Sequence, residues 1–219
     1  MDFQGWKRQF ERLDTACLSD TKKSLRVMDA GIRPLNSGKR LFGRAHTVRC
    51  REDFLTVIKA LDEAQKDEVL VIEAGNKQVA LAGELFTMEA LRKGLGGIII
   101  DGGVRDTQQI QKIPLPVYAR FITPLAGTAS KIFQTQAEIQ CGGVPVAPGD
   151  IVFGDDDGIV VMTEEGLKDI VEAALAVQKV EEQIFARMKQ GQSLLEMLNF
   201  SEHFEKISRH QPSQLTFKI

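Results

Sequence analysis

The segment from Gly97 to Asp106 constrains the fold more than any other part of this chain. It reads Gly-Ile-Ile-Ile-Asp-Gly-Gly-Val-Arg-Asp. The isoleucine run from Ile98 to Ile100 is typical of a strand buried in a sheet. An acidic residue and two glycines follow, and they lead into an adjacent Arg105-Asp106 pair. Because glycine lacks a Cβ, the backbone at this strand end can approach a ligand closely.

The Arg105-Asp106 pair places a fixed cation beside a carboxylate. A guanidinium binds carbonyl or anionic oxygens with its planar fork, and an aspartate binds hard divalent cations. Together these groups are suited to stabilising an enolate. The structural alternative is a strand-end ion pair or a helix cap, and the residue types alone do not separate the two interpretations.

The rest of the chain alternates between strand and helix patterns up to about residue 120, and short strands with tight turns follow. This order predicts an α/β fold with a β-rich second half. We predict one domain over residues 1–200 and a C-terminal tail over 201–219. The predicted helices cover residues 3–29, 54–64, 82–93, 106–111, 164–190 and 193–200. The predicted strands cover 44–50, 68–73, 97–101, 117–120, 151–153 and 159–162, with a hairpin at 140–146.

Composition excludes several classes of protein. With 219 residues, 43% of them hydrophobic, and a net charge of −2, the chain suits one globular domain without a nucleic-acid surface. Its cysteines, Cys17, Cys50 and Cys141, have no disulfide or metal-ligand spacing, so we expect reduced thiols. No apolar run approaches a membrane span, and we expect a cytoplasmic protein that binds no membrane.

Several motifs resemble the RraA-like family, which includes 4-hydroxy-4-methyl-2-oxoglutarate aldolases and regulators of ribonuclease E activity. The resembling segments are Gly43–Cys50, Gly83–Phe86, Gly97–Asp106, Gly143–Val152 and Asp155–Val161. The resemblance spans roughly residues 14 to 199. It implies a swivelling β/β/α fold, a single domain with C-terminal helices. It also implies a homotrimer or hexamer whose site lies at the subunit interface.

The resemblance further implies a divalent-metal-dependent lyase, a class II pyruvate aldolase. Such aldolases carry an Asp, twenty intervening residues and then Arg-Asp, and here Glu84 takes the first place. Asp106 would bind Mg²⁺ or Mn²⁺, with Glu84 assisting through water. The backbone amides of Gly83 to Phe86, including those of Glu84 and Leu85, would hold the carboxylate of a 2-oxo acid. Arg105 would bind its keto oxygen.

The implied substrate is a 4-hydroxy-2-oxo diacid that releases pyruvate, with oxaloacetate decarboxylation as a side activity. The alternative is a non-catalytic protein that binds and inhibits ribonuclease E. In the resembled aldolases a carboxylate from a neighbouring subunit would approach the metal. Glu181 and Glu182 are candidates for it, and the plainer interpretation of both is a solvated helix face.

A methyltransferase is disfavoured because no Gly-rich nucleotide loop follows a first strand.

Other polar residues have plainer interpretations. Asp155-Asp156-Asp157-Gly158 lacks the later ligands of a calcium loop and predicts a turn. His46 lies in a predicted strand beside Arg44, and we expect a structural role for it.

Overall fold

The structure is a computed structural model that describes residues 3–22, 25–75 and 77–218. A nine-stranded mixed sheet dominates it, with strand order β1-β11-β10-β3-β4-β6-β7-β2 and β5 paired to β6. The first strands are β1 (Arg26–Val27), β2 (Arg33–Pro34), β3 (Leu41–Arg49), β4 (Glu68–Glu73), β5 (Ala80–Ala82) and β6 (Gly97–Val104). They are followed by β7 (Val117–Ile122), the separate hairpin β8 (Ile139–Cys141) and β9 (Val144–Val146), β10 (Ile151–Gly154) and β11 (Ile159–Met162).

The helices are α1 (Phe3–Phe10), α2 (Thr15–Thr21), α3 (Leu55–Glu63), α4 (Glu84–Arg92), α5 (Thr107–Ile110), α6 (Leu167–Lys189) and α7 (Phe200–Ser208), with a 3-10 helix at Leu194–Met197. The buried residues of α1 to α6 pack on one face of the sheet, and the β8–β9 hairpin packs on the other. The α/β fold with C-terminal helices that the sequence predicts is confirmed.

The centre of the sheet is parallel and buried on both faces. Strands β3, β4, β6 and β7 run parallel, whereas β10 and β11 pair antiparallel to their neighbours. On one face Ile98 and Ile100 pack with α3 and α4, and on the other Ile99 packs under the β8–β9 hairpin. Burial on both faces explains why β4 and β6 read as continuous apolar runs.

The sequence predicts a helical region over residues 3–29 with a cap at Ser19-Asp20 between two helices; the division instead lies at Asp14, and the prediction is wrong beyond Thr21. Asp14 caps α2 by accepting a hydrogen bond from the Cys17 amide at 2.7 Å, and α2 ends at Thr21. Residues 23 and 24 lie outside the described ranges. Strand β1 then pairs Val27 with Val160 of β11. This long-range pairing overrides a helical pattern because it supplies hydrogen-bond partners to the edge strand β11.

The strand predicted over Gly97–Asp101 continues to Val104. An additional strand, β5, immediately precedes α4 and overlaps the predicted helix at 82–93 only at Ala82. Gly103 allows β5 to approach β6 this closely, since a Cβ at Gly103 would lie 2.5 Å from the Val79 carbonyl oxygen. The two corrections are one feature, because β5 pairs with the extended part of β6.

The C-terminal region wraps back on itself. The helix predicted over 193–200 is only a 3-10 helix at Leu194–Met197, and the predicted tail contains most of α7, which starts at Phe200. The Lys218 amide donates to the Met197 carbonyl at 2.8 Å. None of the residues of α7 is buried, and Phe200, Phe204 and Ile207 are exposed along it. Within the described ranges, no helix combines the length and apolar character needed to cross a bilayer.

Candidate functional site

The carboxyl ends of β5 and β6 bring the two predicted motifs together. The strands are parallel neighbours, and β5 leads into Gly83-Glu84 while β6 leads into Arg105-Asp106. The Arg105 amide donates to the Ala82 carbonyl at 3.1 Å, which fixes the two strand ends side by side. Two motifs separated by twenty residues in the sequence thus share one edge of the sheet, where ligands bind in open α/β sheets.

Asp106 adopts a left-handed backbone conformation, with φ 59° and ψ 35°. Aspartate tolerates this region better than most residues because its short polar side chain can bond locally. Its Oδ2 atom accepts a hydrogen bond from the Glu84 amide at 3.3 Å and lies 3.5 Å from Nε of Arg105. The carboxylate is therefore held between the first turn of α4 and a guanidinium.

Gly83 is required here by contact rather than by backbone conformation. Its φ of −156° is extended and open to any residue. A Cβ at this position, however, would lie 2.3 Å from Oδ2 of Asp106 and 3.2 Å from Cγ of Arg105. The absence of a side chain at Gly83 lets the Arg105-Asp106 pair lie against the start of α4.

The first turn of α4 presents backbone amides to the same place. Gly83 caps the helix without a side-chain hydrogen bond, and Thr87 anchors the turn through its amide and hydroxyl on the Gly83 carbonyl. In the described part of the chain, the Leu85 and Phe86 amides have no acceptor. Free amides at a helix N-terminus favour an anion such as a carboxylate.

A cavity of about 200 Å³ opens at this point. Arg105, Asp106 and Gly83 line one part of it. The remaining walls are apolar: Phe54, Ala80, Leu81, Ala82, Leu85, Phe86 and Ala126. Phe54 and Phe86 meet edge to face with ring centroids 5.8 Å apart.

A polar depression shares Asp106 with the cavity and is also lined by Glu84, Thr107, Gln108 and Gln109. The described residues hold no group of three or more His, Cys, Asp or Glu side chains arranged to bind a metal. Glu84 and Asp106 are two carboxylates on one surface, and Mg²⁺ is commonly held by one or two carboxylates with water and substrate completing its shell. This donor set fits Mg²⁺ or Mn²⁺, and it does not fit a zinc site built from Cys and His.

Glu181 lies away from this cavity in its own chain. Its Oε2 atom accepts a hydrogen bond from Sγ of Cys17 at 3.3 Å, within the packing of α2 on α6. Burial raises the pKa of the Cys17 thiol, and Asp14 and Glu181 raise it further. Burial likewise raises the pKa of Cys50 to about 12 and raises that of Cys141. All three are free cysteines buried in the protein.

The other polar candidates are structural. His46 is buried in β3, and its Nδ1 atom lies 3.0 Å from Oε2 of Glu68. Asp155 begins the turn between β10 and β11 and accepts hydrogen bonds from the amide and hydroxyl of Thr15 at 2.8 and 2.7 Å. The acidic turn therefore anchors α2 to the sheet.

The sequence reasoning missed the apolar walls of the cavity. The run Val79 to Ala82 directly before Gly83 is the feature that indicates β5. Ala126 belongs to a loop that pairs with β5, through the Ala80 amide on the Leu125 carbonyl at 2.7 Å and the Gly127 amide on the Ala80 carbonyl at 3.0 Å. Nothing in the local pattern around Ala126 indicates this contact.

Comparisons with known proteins agree with this architecture. The RraA-like family model, described as Aldolase/RraA, matches residues 15–161. An uncharacterised protein of Methanocaldococcus jannaschii is 36% identical over 79% of this chain and 88% of its own. A protein of Halalkalibacterium halodurans named "Putative 4-hydroxy-4-methyl-2-oxoglutarate aldolase" is 34% identical over 80% of this chain and 84% of its own.

A solved structure extends the similarity into the C-terminal helices. It is RraAS2 of Streptomyces coelicolor, described as an unusual member of the RNase ES inhibitor RraA protein family. It superposes with a TM-score of 0.72 at 28% identity, covering 86% of this chain and 98% of that one. The family model spans Gly83 and Arg105-Asp106, and the two curated relatives cover 79% and 80% of the chain, so the chain belongs to the RraA-like family.

Proposed function

We propose that this protein is a divalent-metal-dependent lyase that cleaves a 4-hydroxy-2-oxo acid to pyruvate. The observation that carries the proposal is the meeting of three groups at one cavity: the free amides of α4, the Arg105 guanidinium and the Asp106 carboxylate. The resemblance and the name of the H. halodurans relative point to a diacid of the 4-hydroxy-4-methyl-2-oxoglutarate type.

Substrate binding would use the two fixed positive ends of the site. The 2-oxo acid's carboxylate would accept hydrogen bonds from the Leu85 and Phe86 amides, where the helix dipole favours an anion. Arg105 would donate to the keto oxygen. Its side chain is 47% exposed, so it has room to leave Asp106 and meet a ligand.

Cleavage breaks the C3–C4 bond. The C4 hydroxyl loses its proton, C4 becomes a carbonyl, and the bonding electrons pass to C3 and onto the keto oxygen as pyruvate enolate. Arg105 is placed to stabilise that oxygen as its charge grows, which lowers the barrier more than it tightens ground-state binding. Glu84, on the polar depression, would receive the hydroxyl proton through a water molecule.

Asp106 would hold Mg²⁺ or Mn²⁺, with Glu84 assisting through water. When bound, the cation would add positive charge beside the developing enolate. Decarboxylation of oxaloacetate leaves the same enolate, so the same residues support that side activity.

A regulator of ribonuclease E is the second candidate, favoured by the similarity to the Streptomyces protein of the RNase ES inhibitor family. A docking protein needs a surface and no turnover. This chain has Glu84, Arg105 and Asp106, the residues that turnover would require. Their presence favours the lyase over the regulator.

The test is pyruvate release by purified protein from 4-hydroxy-2-oxo acids and from oxaloacetate, with Mg²⁺ or Mn²⁺. We expect turnover that stops with excess chelator and returns with the cation. Full turnover in chelator would contradict the metal requirement. No turnover with any substrate, together with stoichiometric binding to ribonuclease E, would favour the regulator.

A further inference from the structure

We infer that Thr87 is a positioning residue for the Asp106 carboxylate. Its hydroxyl orients the peptide group between Gly83 and Glu84, and the amide of that group holds Oδ2 of Asp106. The inference rests on the proposed function only in taking Asp106 to bind the cation. It adds a residue from the buried side of α4, outside the motifs that the sequence indicates.

One peptide group carries hydrogen bonds on two opposite sides. The Gly83 carbonyl accepts a bond from the Thr87 hydroxyl at 2.9 Å and a second from the Thr87 amide at 3.1 Å. The Glu84 amide, in the same peptide group, donates to Oδ2 of Asp106 at 3.3 Å. A trans peptide group is planar and points its carbonyl and its N–H in opposite directions, so fixing the carbonyl also fixes the direction of the N–H.

The hydrogen bonds in such a chain also strengthen one another. A bond accepted by the carbonyl draws electrons away from the nitrogen of the same peptide group and makes its N–H a better donor. The contact from the Glu84 amide to Asp106 is longer than most N–H···O bonds, so it depends on both the direction and the strength of its donor. The Thr87 hydroxyl contributes to both.

Thr87 occupies a place where a hydroxyl has to be hydrogen-bonded. Its side chain is fully buried, and Ala90 is the other buried residue of α4. A buried hydroxyl costs free energy unless it has a partner, and valine has nearly the same shape without the hydroxyl. Because Thr87 is buried within one chain, its contact with Gly83 does not depend on how the subunits assemble.

The consequence for the site is the orientation of one carboxylate. Oδ2 of Asp106 lies 3.3 Å from the Glu84 amide and 3.5 Å from Nε of Arg105. With Oδ2 held in this way, Oδ1 is the atom that can face a cation. Partners behind a metal ligand fix its direction, and their loss usually costs about 10–100-fold in metal affinity.

The plain alternative is a local bond with no effect beyond α4. Threonine side chains inside helices can bond the carbonyl four residues earlier. A bond of that kind would contribute to stability without influencing Asp106. The two interpretations differ in what happens when the hydroxyl alone is removed.

Thr87→Val removes the hydroxyl and keeps the branched shape. We expect the Kd of Mn²⁺, measured by electron paramagnetic resonance without substrate, to rise about tenfold, the lower end of the usual range because Thr87 acts through a peptide group. Thr87→Ser keeps the donor, so its Kd should stay within about twofold of wild type.

Thr47→Val is the matched control. Thr47 is also fully buried, and its hydroxyl donates to the Ala137 carbonyl at 2.7 Å. It lies in β3, which β4 separates from β6. We expect this variant to unfold at lower urea concentration, as Thr87→Val does, while its Kd for Mn²⁺ stays within about twofold of wild type. An equal rise of Kd in both variants, or no rise in Thr87→Val, would overturn the inference.

Hydrogen exchange of the Glu84 amide, followed by NMR, tests the same contact without any metal. A weaker bond to Asp106 exposes this amide more often, so we expect exchange about tenfold faster in Thr87→Val and close to wild type in Thr87→Ser. Equal exchange in wild type and Thr87→Val would show that the hydroxyl does not orient this peptide group.

Pyruvate release separates this inference from the proposed function. If the wild-type protein binds Mn²⁺ and releases no pyruvate, the proposed lyase is wrong, and the Kd comparison still decides the role of Thr87. If it binds no Mn²⁺, the metal of the proposed function is wrong, and the Glu84 exchange decides. Should Thr87→Val fail to fold, Thr87→Ser against Thr87→Ala gives the same comparison, with about tenfold tighter Mn²⁺ binding expected for the serine variant.

Discussion

Asp106 combines two requirements in one residue, a carboxylate and a left-handed backbone. Alanine at this position would remove both, so Asp106→Asn is the sharper variant: asparagine tolerates φ above zero and has the same shape without the charge. We expect Asp106→Asn to lose metal-dependent pyruvate release while its circular dichroism spectrum and unfolding temperature stay close to wild type.

Asp67 offers a matched control for this variant. It also has a positive φ, 66°, and its carboxylate pairs with Lys7 away from the cavity. Asp67→Asn should keep full turnover, at the cost of about 0–1 kcal/mol in stability for a partly exposed ion pair. Wild-type turnover in Asp106→Asn would mean that the metal binds elsewhere.

Arg105 is expected to act in the transition state. Arg105→Lys keeps a positive charge and loses the planar two-pronged donor. We expect kcat for oxaloacetate decarboxylation to fall by about 10²–10³, the usual cost of removing one donor to a developing oxyanion, with a smaller change in KM. Steady-state kinetics of the variant and the wild-type protein measure this.

The control for Arg105 is Arg92→Lys. Arg92 lies in the last turn of α4 and pairs with Glu89 on the surface. Its substitution should leave kcat unchanged. An unchanged kcat in Arg105→Lys would reduce the Arg105-Asp106 pair to a structural contact at the end of β6.

At the level of elements, the close approach of the α4 start to Asp106 is tested by Gly83→Ala. The added Cβ would meet Oδ2 of Asp106 at 2.3 Å, so the carboxylate must move. We expect kcat/KM to drop by about 10²-fold, since misplacement by about an ångström at a reacting site has effects of that size. Gly158→Ala is the control, because a Cβ there meets nothing within 4 Å.

The loop after β7 is tied to the start of α3 by Asp53. This buried carboxylate accepts hydrogen bonds from the Thr128 hydroxyl at 2.7 Å and from the Ser130 and Lys131 amides at 2.6 and 3.0 Å. Burial by itself raises the pKa of Asp53, but these bonds and the one from the Leu55 amide outweigh it and lower the pKa to about 2. The connection holds the loop that carries Ala126.

A pKa lowered in the folded state gives stability that is present above the unfolded value and lost as pH falls. For Asp53 the loss lies between about pH 3.8 and about pH 2. We expect Asp53→Asn to unfold at lower urea concentration than wild type near pH 7, and this difference to narrow below about pH 3.8. Asp62→Asn, at an exposed position of α3, should match wild type throughout. A difference independent of pH would contradict the role of the charge.

At the scale of the whole molecule, large apolar side chains are exposed at several places. Among them are Leu85 near the cavity, 71% exposed, and Phe204 on the C-terminal helices, 61% exposed. Exposed apolar surface of this extent is typical of protein interfaces. The resemblance implies a trimer or hexamer, so we expect a solution mass three or six times the 24.3 kDa of one chain, measured by light scattering after size exclusion. A monomer at micromolar concentration would contradict this assembly.

The amino-acid sequence determined the elements whose environment is encoded in adjacent residues. Strands β4 and β6 are predictable from their continuous apolar runs, because both of their faces are buried. Helix α3 is predictable from the helical spacing of its apolar residues, because one of its sides is buried. The Arg105-Asp106 pair, its spacing from Glu84 and the family resemblance were also available from the sequence.

Only the tertiary structure decided how these parts meet. The pairing of β5 with β6, the 2.3 Å approach that requires Gly83, and the wall formed by Leu81 and Ala126 join residues that are far apart in the chain. Likewise, β1 replaces the end of a predicted helix because its partner, β11, lies more than 130 residues further along the chain. Such contacts depend on which surfaces the packed sheet brings together. A local pattern of residue types does not show which distant segments of the chain will meet.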